Sequence, residues 1–275
     1  MRESSVMSGS RAGGLRNVVL KSPREIELMR EAGRVVHAVH ERIREAVRPG
    51  VTTGELGRIA DETITAAGGV ALFKGVQTPN TKFPFPAAIC ASVNEEVVHG
   101  IPGDRVLKEG DIVSVDCGVR LRGYCGDAAN TWPVGRVSPQ SQRLLDVTRK
   151  ALELALEIMR PGMLWSEVAG EIQALVESAG FSVVREFVGH GIGQQMHEEP
   201  KVPNYADRKS RKGDFRLEPG LVIAVEPMVN AGRREVKAGD WTGWPQVTRD
   251  GSWSAHYEHT VAITPTGIDV LTDGR

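Results

Sequence analysis

Residues 107–116 read LKEGDIVSVD, and residues 217–226 read LEPGLVIAVE. Leu107 matches Leu217, Gly110 matches Gly220 and Asp116 matches Glu226, each pair 110 positions apart. Both runs are strand-like, rich in β-branched residues, and both end on an acid. A second repeat precedes each run. VRPGVTTGELGRIADETITAAGG begins at Val47 and MRPGMLWSEVAGEIQALVESAGF at Met159, with Pro49/Pro161, Gly50/Gly162, Glu55/Glu167 and Gly68/Gly180 all 112 apart. Each reads as a Pro-Gly turn, a Thr or Ser helix start, an amphipathic helix and a closing Gly. Longer helices are predicted ahead of them, over roughly Pro23 to Arg48 and Pro139 to Arg160. HGIP at His99 resembles HEEP at His197, 98 positions on. A period near 110 is too long for a solenoid. It predicts an α+β fold of two halves, each a pair of helices on an antiparallel sheet. The halves form one domain over 21–275 around a pseudo-twofold axis, with a site at their junction.

Of 275 residues, 40% are hydrophobic and 25% charged, enough for a sizeable core. The net charge of −1 gives no global field for DNA or a membrane surface. No apolar run approaches the ~18 residues of a transmembrane helix. MRESSVMSGSRAGGLR has no apolar stretch of the signal-peptide kind, and residues 1–20 are expected to be a disordered extension. Cys90, Cys117 and Cys125 are an odd count at spacings that match no zinc motif. Reduced thiols and a cytoplasmic location are the expectation.

Asp116 and Asp127 lie eleven residues apart in GDIVSVDCGVRLRGYCGD. With Leu121 and Arg122 at a hairpin tip, the two carboxylates would face each other directly, with Cβ atoms about 4.5–5.5 Å apart. Like charges that close repel unless a cation lies between them. His190 in GHGIG, Glu226 before Pro227, and Glu258 in HYEHT follow in order. Glycine on both sides of His190 permits unusual backbone angles and close approach. A proline ends ladder pairing and frees Glu226 to project into a cleft. Two Asp, one His and two Glu suit two hard or borderline divalent ions better than one tetrahedral zinc. Such a pair of ions activates water for hydrolysis. His37 and His40 share a helix face without a further ligand nearby and read as surface or core groups, and His259 reads as structural. Arg208, Lys209, Arg211, Lys212 and Arg216 read first as a solvated basic turn.

DIVSVDCGV…GYCGD, VGHGIGQQMHEEP, IAVEPMVN and YEHTVAI together resemble the methionine aminopeptidases, which have the pita-bread fold. The resemblance runs from about Lys21 to about Thr272, and SVNEEVVHGIP narrows it to these enzymes within their superfamily. Only 32 positions separate Glu226 from Glu258, which resembles type I; type II enzymes carry a long helical insert there. The resemblance implies removal of N-terminal methionine from nascent chains with a small second residue. It implies two divalent cations (Co, Mn, Fe or Zn) on Asp116, Asp127, His190, Glu226 and Glu258, with Asp127 and Glu258 bridging. Glu226 would move the proton, His197 would steady the carbonyl oxygen, and His99 would contact the substrate amide. Phe85, Cys90, Met196 and Trp253 match the pocket for the methionine side chain. The implied partners are nascent polypeptide N-termini and a ribosome contact through the basic turn, with no DNA and no membrane, and the chain is expected to be a monomer.

Two positions depart from the family pattern. Cys125 stands where the family usually has His, and His256 where it often has Gln. A single-domain Xaa-Pro aminopeptidase and an inactive pita-bread binding protein are the competing readings. The intact ligand set speaks against the second of these.

Overall fold

Ser22 starts the first helix by a capping box. Its hydroxyl accepts from the Glu25 N–H, and the Glu25 carboxylate accepts from the Ser22 N–H, with Pro23 at the first helical position. In the computed structural model, which describes residues 17–208 and 210–275, this opens α1 (Pro23–Ala46). The expected N-terminal extension lies, up to Arg16, outside the described residues. After α1 come α2 (Thr53–Ala66), β1 (Val70–Ala71), β2 (Cys90–Val93), β3 (Glu96–Val98), β4 (Ile112–Leu121) and β5 (Tyr124–Pro133). The second half repeats the plan with α3 (Pro139–Ile158), α4 (Trp165–Ser178), β6 (Ser182–Val183), β7 (Gly189–Gly191), β8 (Glu198–Val202), β9 (Val222–Val225) and β10 (Met228–Asn230). It closes with β11 (Val236–Ala238), β12 (Gln246–Thr248), β13 (Ser254–His256), β14 (His259–Ile263) and β15 (Ile268–Val270).

The expected α+β architecture is present, and the repeat is visible in the ladders. β4 carries β5 on one side and β1 and β2 end to end on the other. In the second half, β9 and β10 together occupy the place of β4. β6 pairs with β10 as β1 pairs with β4, and β7 pairs with β9 as β2 pairs with β4. Alternation along β4 sends Val113, Val115, Cys117 and Val119 into a core with Val36, Ile43, Leu56 and Ile64 of α1 and α2. Asp116 falls on the opposite face. A matching core buries Leu144, Leu152, Ile172 and Val176 of α3 and α4 against Ile223 and Val225.

Helix α4 begins at Trp165, so Ser166 is not its cap. The residue at the cap is Leu164, which has no oxygen to offer. Asp214 supplies one from a distant loop, accepting from the Ser166 N–H at 3.0 Å.

Two glycines set how closely α1 lies on β5. A Cβ on Gly126 would stand 2.8 Å from the Gly33 nitrogen, and a Cβ on Gly33 would stand 1.9 Å from the Leu271 carbonyl oxygen. Both are distances that backbone cannot yield to cheaply. Gly33→Ala is therefore expected to lower stability by about 1–3 kcal/mol, read as a lower urea midpoint at unchanged slope. An unchanged midpoint would mean that α1 does not sit this close to Leu271, just after β15.

Candidate metal centre

The β4–β5 hairpin turns at Arg122–Gly123, with φ of 51° and 86°. Leu121 pairs with Tyr124, so the tip is one residue later than expected from the sequence. A two-residue hairpin turn needs positive φ at both central positions, which a glycine accepts and a leucine resists. The shift changes the register. Asp116 pairs with Ala129 and Asp127 with Gly118, so the two acids are diagonal neighbours on one face instead of direct partners. Diagonal spacing still lets the two carboxyls meet on that face. A Cβ on Gly118 would lie 3.2 Å from Phe73 Cε1 and in ordinary contact with Asp127 Oδ1 at 3.4 Å.

The two glutamates come from the other half. Val225 pairs with His259 and Met228 with His256, so one register runs across the gap between β9 and β10. That register sets Glu226 opposite Glu258 where Pro227 removes the ladder bond. Asn204, itself buried, donates its side-chain N–H to the Glu226 carbonyl at 2.9 Å. The seam between halves is stitched beside the acids. The Glu258 N–H donates to Ala129 O at 2.8 Å, and the Asp127 N–H donates to the Thr260 hydroxyl, which returns a bond to Asp127 O. Thr131 does the same for His256, accepting from its N–H at 2.9 Å and donating to its carbonyl at 2.7 Å.

His190 is delivered by β7, which threads between β8 and β9. Its glycines serve close approach: a Cβ on Gly189 would meet Ala224 O at 2.3 Å, and one on Gly191 would meet Glu199 O at 2.2 Å. His190 Nδ1 lies 2.9 Å from Gly191 O. A carbonyl only accepts, so Nδ1 carries the proton and Nε2 presents its lone pair. That lone pair faces Glu226 Oε1 at 3.6 Å and Asp127 Oδ2 at 3.8 Å.

Burial pushes all four carboxyls upward, and acidic neighbours add to it at Asp127, Glu226 and Glu258. Asp116 rises to about 7, chiefly by desolvation, while Asp127, Glu226 and Glu258 rise well above the carboxylate range by desolvation and then by their acidic neighbours. Desolvation lowers His190 to about 4 and His99 to about 4, each with a further push from His197. His197 is lowered by the same cause, although its ring is exposed at the mouth. Its ring centroid lies 4.4 Å from that of His190.

Asp116, Asp127, His190, His197, His99, Glu226 and Glu258 all line one cavity of about 250 Å³, together with Phe85, Cys90 and Met196. Cys90 pairs with Asp116 across β2 and β4, which explains why the apolar wall adjoins the acids. His99 holds a φ of 62°, in the left-handed region, and packs edge-on against Phe187 and Trp244. Trp253 does not line the cavity. It packs against the α3–α4 core, and its carbonyl accepts from the Ala231 N–H. The tryptophan of the wall is Trp244, edge-on to Phe85 at 5.0 Å, with its indole N–H on Phe83 O at 2.8 Å. Phe73 and Phe187 complete the wall. His37 and His40 stay outside the cavity; His40 is buried on α1 with Nε2 at 2.9 Å from Ala128 O. His259 is structural, 2.8 Å from the Thr272 hydroxyl.

The donor set fits divalent cations. One donor atom each from Asp127, His190 and Glu258 lie within 4.8 Å of one another. Asp116 Oδ1, Asp127 Oδ1 and Glu258 Oε1 are buried with no hydrogen-bond partner. Orphaned carboxylate oxygens around a free imidazole lone pair are what hard and borderline cations satisfy. Such a centre, beside an apolar cavity at the junction of two related halves, defines a metal-dependent hydrolase. The model of metallopeptidase family M24 matches residues 27–265. Methionine aminopeptidase 1 of Bacillus subtilis (strain 168) is 50% identical over 257 residues, which cover 93% of this chain and 99% of the relative. The methionine aminopeptidase of Clostridium perfringens (strain 13 / Type A) is 47% identical over 255 residues, covering 93% and 98%. The crystal structure of methionine aminopeptidase from Thermotoga maritima is similar with a TM-score of 0.87 at 41% identity, covering 93% of this chain and 99% of that one. The chain belongs to metallopeptidase family M24, with its pita-bread fold, and groups there with the methionine aminopeptidases.

In the metal-free protein the raised carboxyls keep protons that the unfolded chain gives up near pH 4. Their contribution to stability is present at acid pH and is lost as pH rises through about 7, the value of Asp116, and beyond. Cations replace those protons. Binding of Mn²⁺ or Zn²⁺ at pH 7 is expected to release at least one proton per chain, read from the dependence of binding heat on buffer ionisation enthalpy. Heats that are the same in every buffer would contradict protonated acids in the metal-free site.

Proposed function

We propose that the chain removes N-terminal methionine from polypeptides whose second residue is small. The observation that carries this reading is the pairing of a cation-binding carboxylate set with an apolar, sulfur- and aromatic-lined cavity of about 250 Å³. That volume lies below the ~300–1,000 Å³ of drug-sized sites. It suits one side chain and the adjoining backbone. Thioethers pack well against aromatic rings and thiols, which Phe85, Cys90, Met196 and Trp244 provide.

Asp116, Asp127, His190, Glu226 and Glu258 would hold two divalent cations. When bound, the cations supply Lewis acidity and a water acidified for attack at neutral pH. Glu226 takes the proton of the attacking water and returns it to the leaving amine. His197, neutral and at the mouth, donates its N–H to the carbonyl oxygen as negative charge develops there. His99 contacts the substrate amide from the opposite wall. The substrate α-amine is received beside Asp116, which restricts attack to the first peptide bond. A small second residue lets the peptide lie flat across the acids.

Release of methionine from Met-Gly-Met, with Ala-Pro-Ala uncut, is the expected result with purified protein and added cations. Cleavage of Ala-Pro-Ala in preference would establish the Xaa-Pro reading instead. In the same assay His197→Ala is expected to lower kcat by roughly 10²–10³-fold at full metal content. Loss of metal in that variant would move His197 from oxyanion donor to ligand.

The cellular setting is part of the proposal: a cytoplasmic monomer working on nascent chains. No helix among the described residues is long and apolar enough to cross a membrane. The ribosome contact rests on fewer groups than the sequence offers. Arg216 donates to Gly162 O at 2.5 Å and so is tied to the α3–α4 turn, and Lys209 lies outside the described residues. Arg208 is exposed, and Arg211 and Lys212 are exposed on a short 3-10 turn over Ser210–Gly213. Their phosphate contacts would weaken steeply with salt. Ribosome co-sedimentation is expected to fall as salt rises and to fall in Arg211→Ala/Lys212→Ala at low salt. Equal pelleting of that variant and wild type would leave only a solvated turn.

A further inference from the structure

His256, one of the two departures in the sequence, stands directly over the pair of glutamates. The residue is 2% exposed, and its Nε2 has no hydrogen-bond partner. That nitrogen lies 3.8 Å from Glu226 Oε2 and 3.8 Å from Glu258 Oε2. These separations are too long for hydrogen bonds. A buried ring nitrogen left without a partner is costly. The position is nevertheless fixed firmly: Thr131 holds both the N–H and the carbonyl of His256, and the backbone pairs with Met228.

His190 shows what such a nitrogen is for. Its Nε2 faces Glu226 Oε1 at 3.6 Å and Asp127 Oδ2 at 3.8 Å, the same spacing with the same absence of hydrogen bonds to the acids. The two imidazoles bracket Glu226, one at each oxygen. Two donors on one cation, at bonds of about 2.0–2.2 Å, can stand up to about 4.4 Å apart. A separation of 3.8 Å is within that span, and a cation in the space would satisfy His256 Nε2 together with Glu258 Oε2. We propose that His256 is a further ligand of the metal centre, giving it a second imidazole through Nε2 beside Glu226 and Glu258.

The proposal rests on the metal-dependent reading of the same cavity. Its consequence is a shift in character: an added imidazole favours Co²⁺, Fe²⁺ or Zn²⁺ over Mn²⁺ relative to an all-carboxylate position. The test uses Co²⁺ alone, added to saturation, and needs no turnover. Ring N–H protons of imidazoles bound to Co²⁺ give paramagnetically shifted, solvent-exchangeable proton resonances. Two such signals are expected in the wild type and one in His256→Gln, with Co²⁺ affinity weakened more than Mn²⁺ affinity in the variant. One signal in the wild type, unchanged in His256→Gln, would overturn the proposal. A saturated wild type with no shifted signal would overturn the metal reading itself and the proposal with it. If His256→Gln fails to fold, X-ray absorption of the Co²⁺-loaded wild type decides: scattering from two imidazoles supports the assignment, and scattering from one overturns it.

Discussion

Four carboxyl groups converge on one desolvated space, and they cannot all ionise there unaided. Two unit charges 4 Å apart repel by about 4 kcal/mol at an effective dielectric of 20. Burial drives Asp116, Asp127, Glu226 and Glu258 all upward, and acidic neighbours drive Asp127, Glu226 and Glu258 further. The space therefore takes protons or cations. The surrounding protein holds the acids together against this repulsion, and it does so with backbone. Asp127 and Glu258 are anchored through their own N–H groups to the opposite half, and Asp127 Oδ1 and Glu258 Oε1 are left without a hydrogen-bond partner. A carboxylate oxygen without a donor is available to a cation.

The duplicated plan explains why the acids meet. β4 and β9–β10 are equivalent strands, each backed by two helices, and each brings an acid to the same face at the same place. The halves are not identical at that place. β4 continues through Asp116 without interruption, whereas Pro227 breaks the second strand just after Glu226. The break leaves Glu226 and Glu258 facing each other outside the ladder, and Asn204 takes over one of the lost backbone bonds. Symmetry thus supplies the convergence, and the proline supplies the asymmetry that distinguishes one end of the centre from the other.

Much of this was legible in the chain because it lies in periodicity and order. The offsets of 110 and 112 marked the equivalent strands and helices, and the helices run close to the bounds read from their prolines and caps. The acids and His190 were legible as a set of donor types. What escaped depended on one-residue registers and on distant contacts. The hairpin tip falls one residue later than the sequence suggests because Gly123, not Leu121, decides where positive φ is tolerated. Trp253 and Trp244 are nine residues apart in one aromatic-rich segment. Only the pairing of β12 with β3, which brings this segment over the first half, selects Trp244 for the cavity. Asp214 as the cap of α4 and Asn204 as the brace of Glu226 act across 48 and 22 residues, with no local signal to announce them.

The central claim is that cations complete this site and that the chain's peptidase activity depends on them. The most direct measurement is methionine release from Met-Gly-Met by protein stripped with a chelator, before and after divalent ions are restored under anaerobic conditions. The account predicts that release stops in the stripped protein and returns with the ions while the fold persists throughout. Stripped protein that continues to release methionine at the original rate would contradict it.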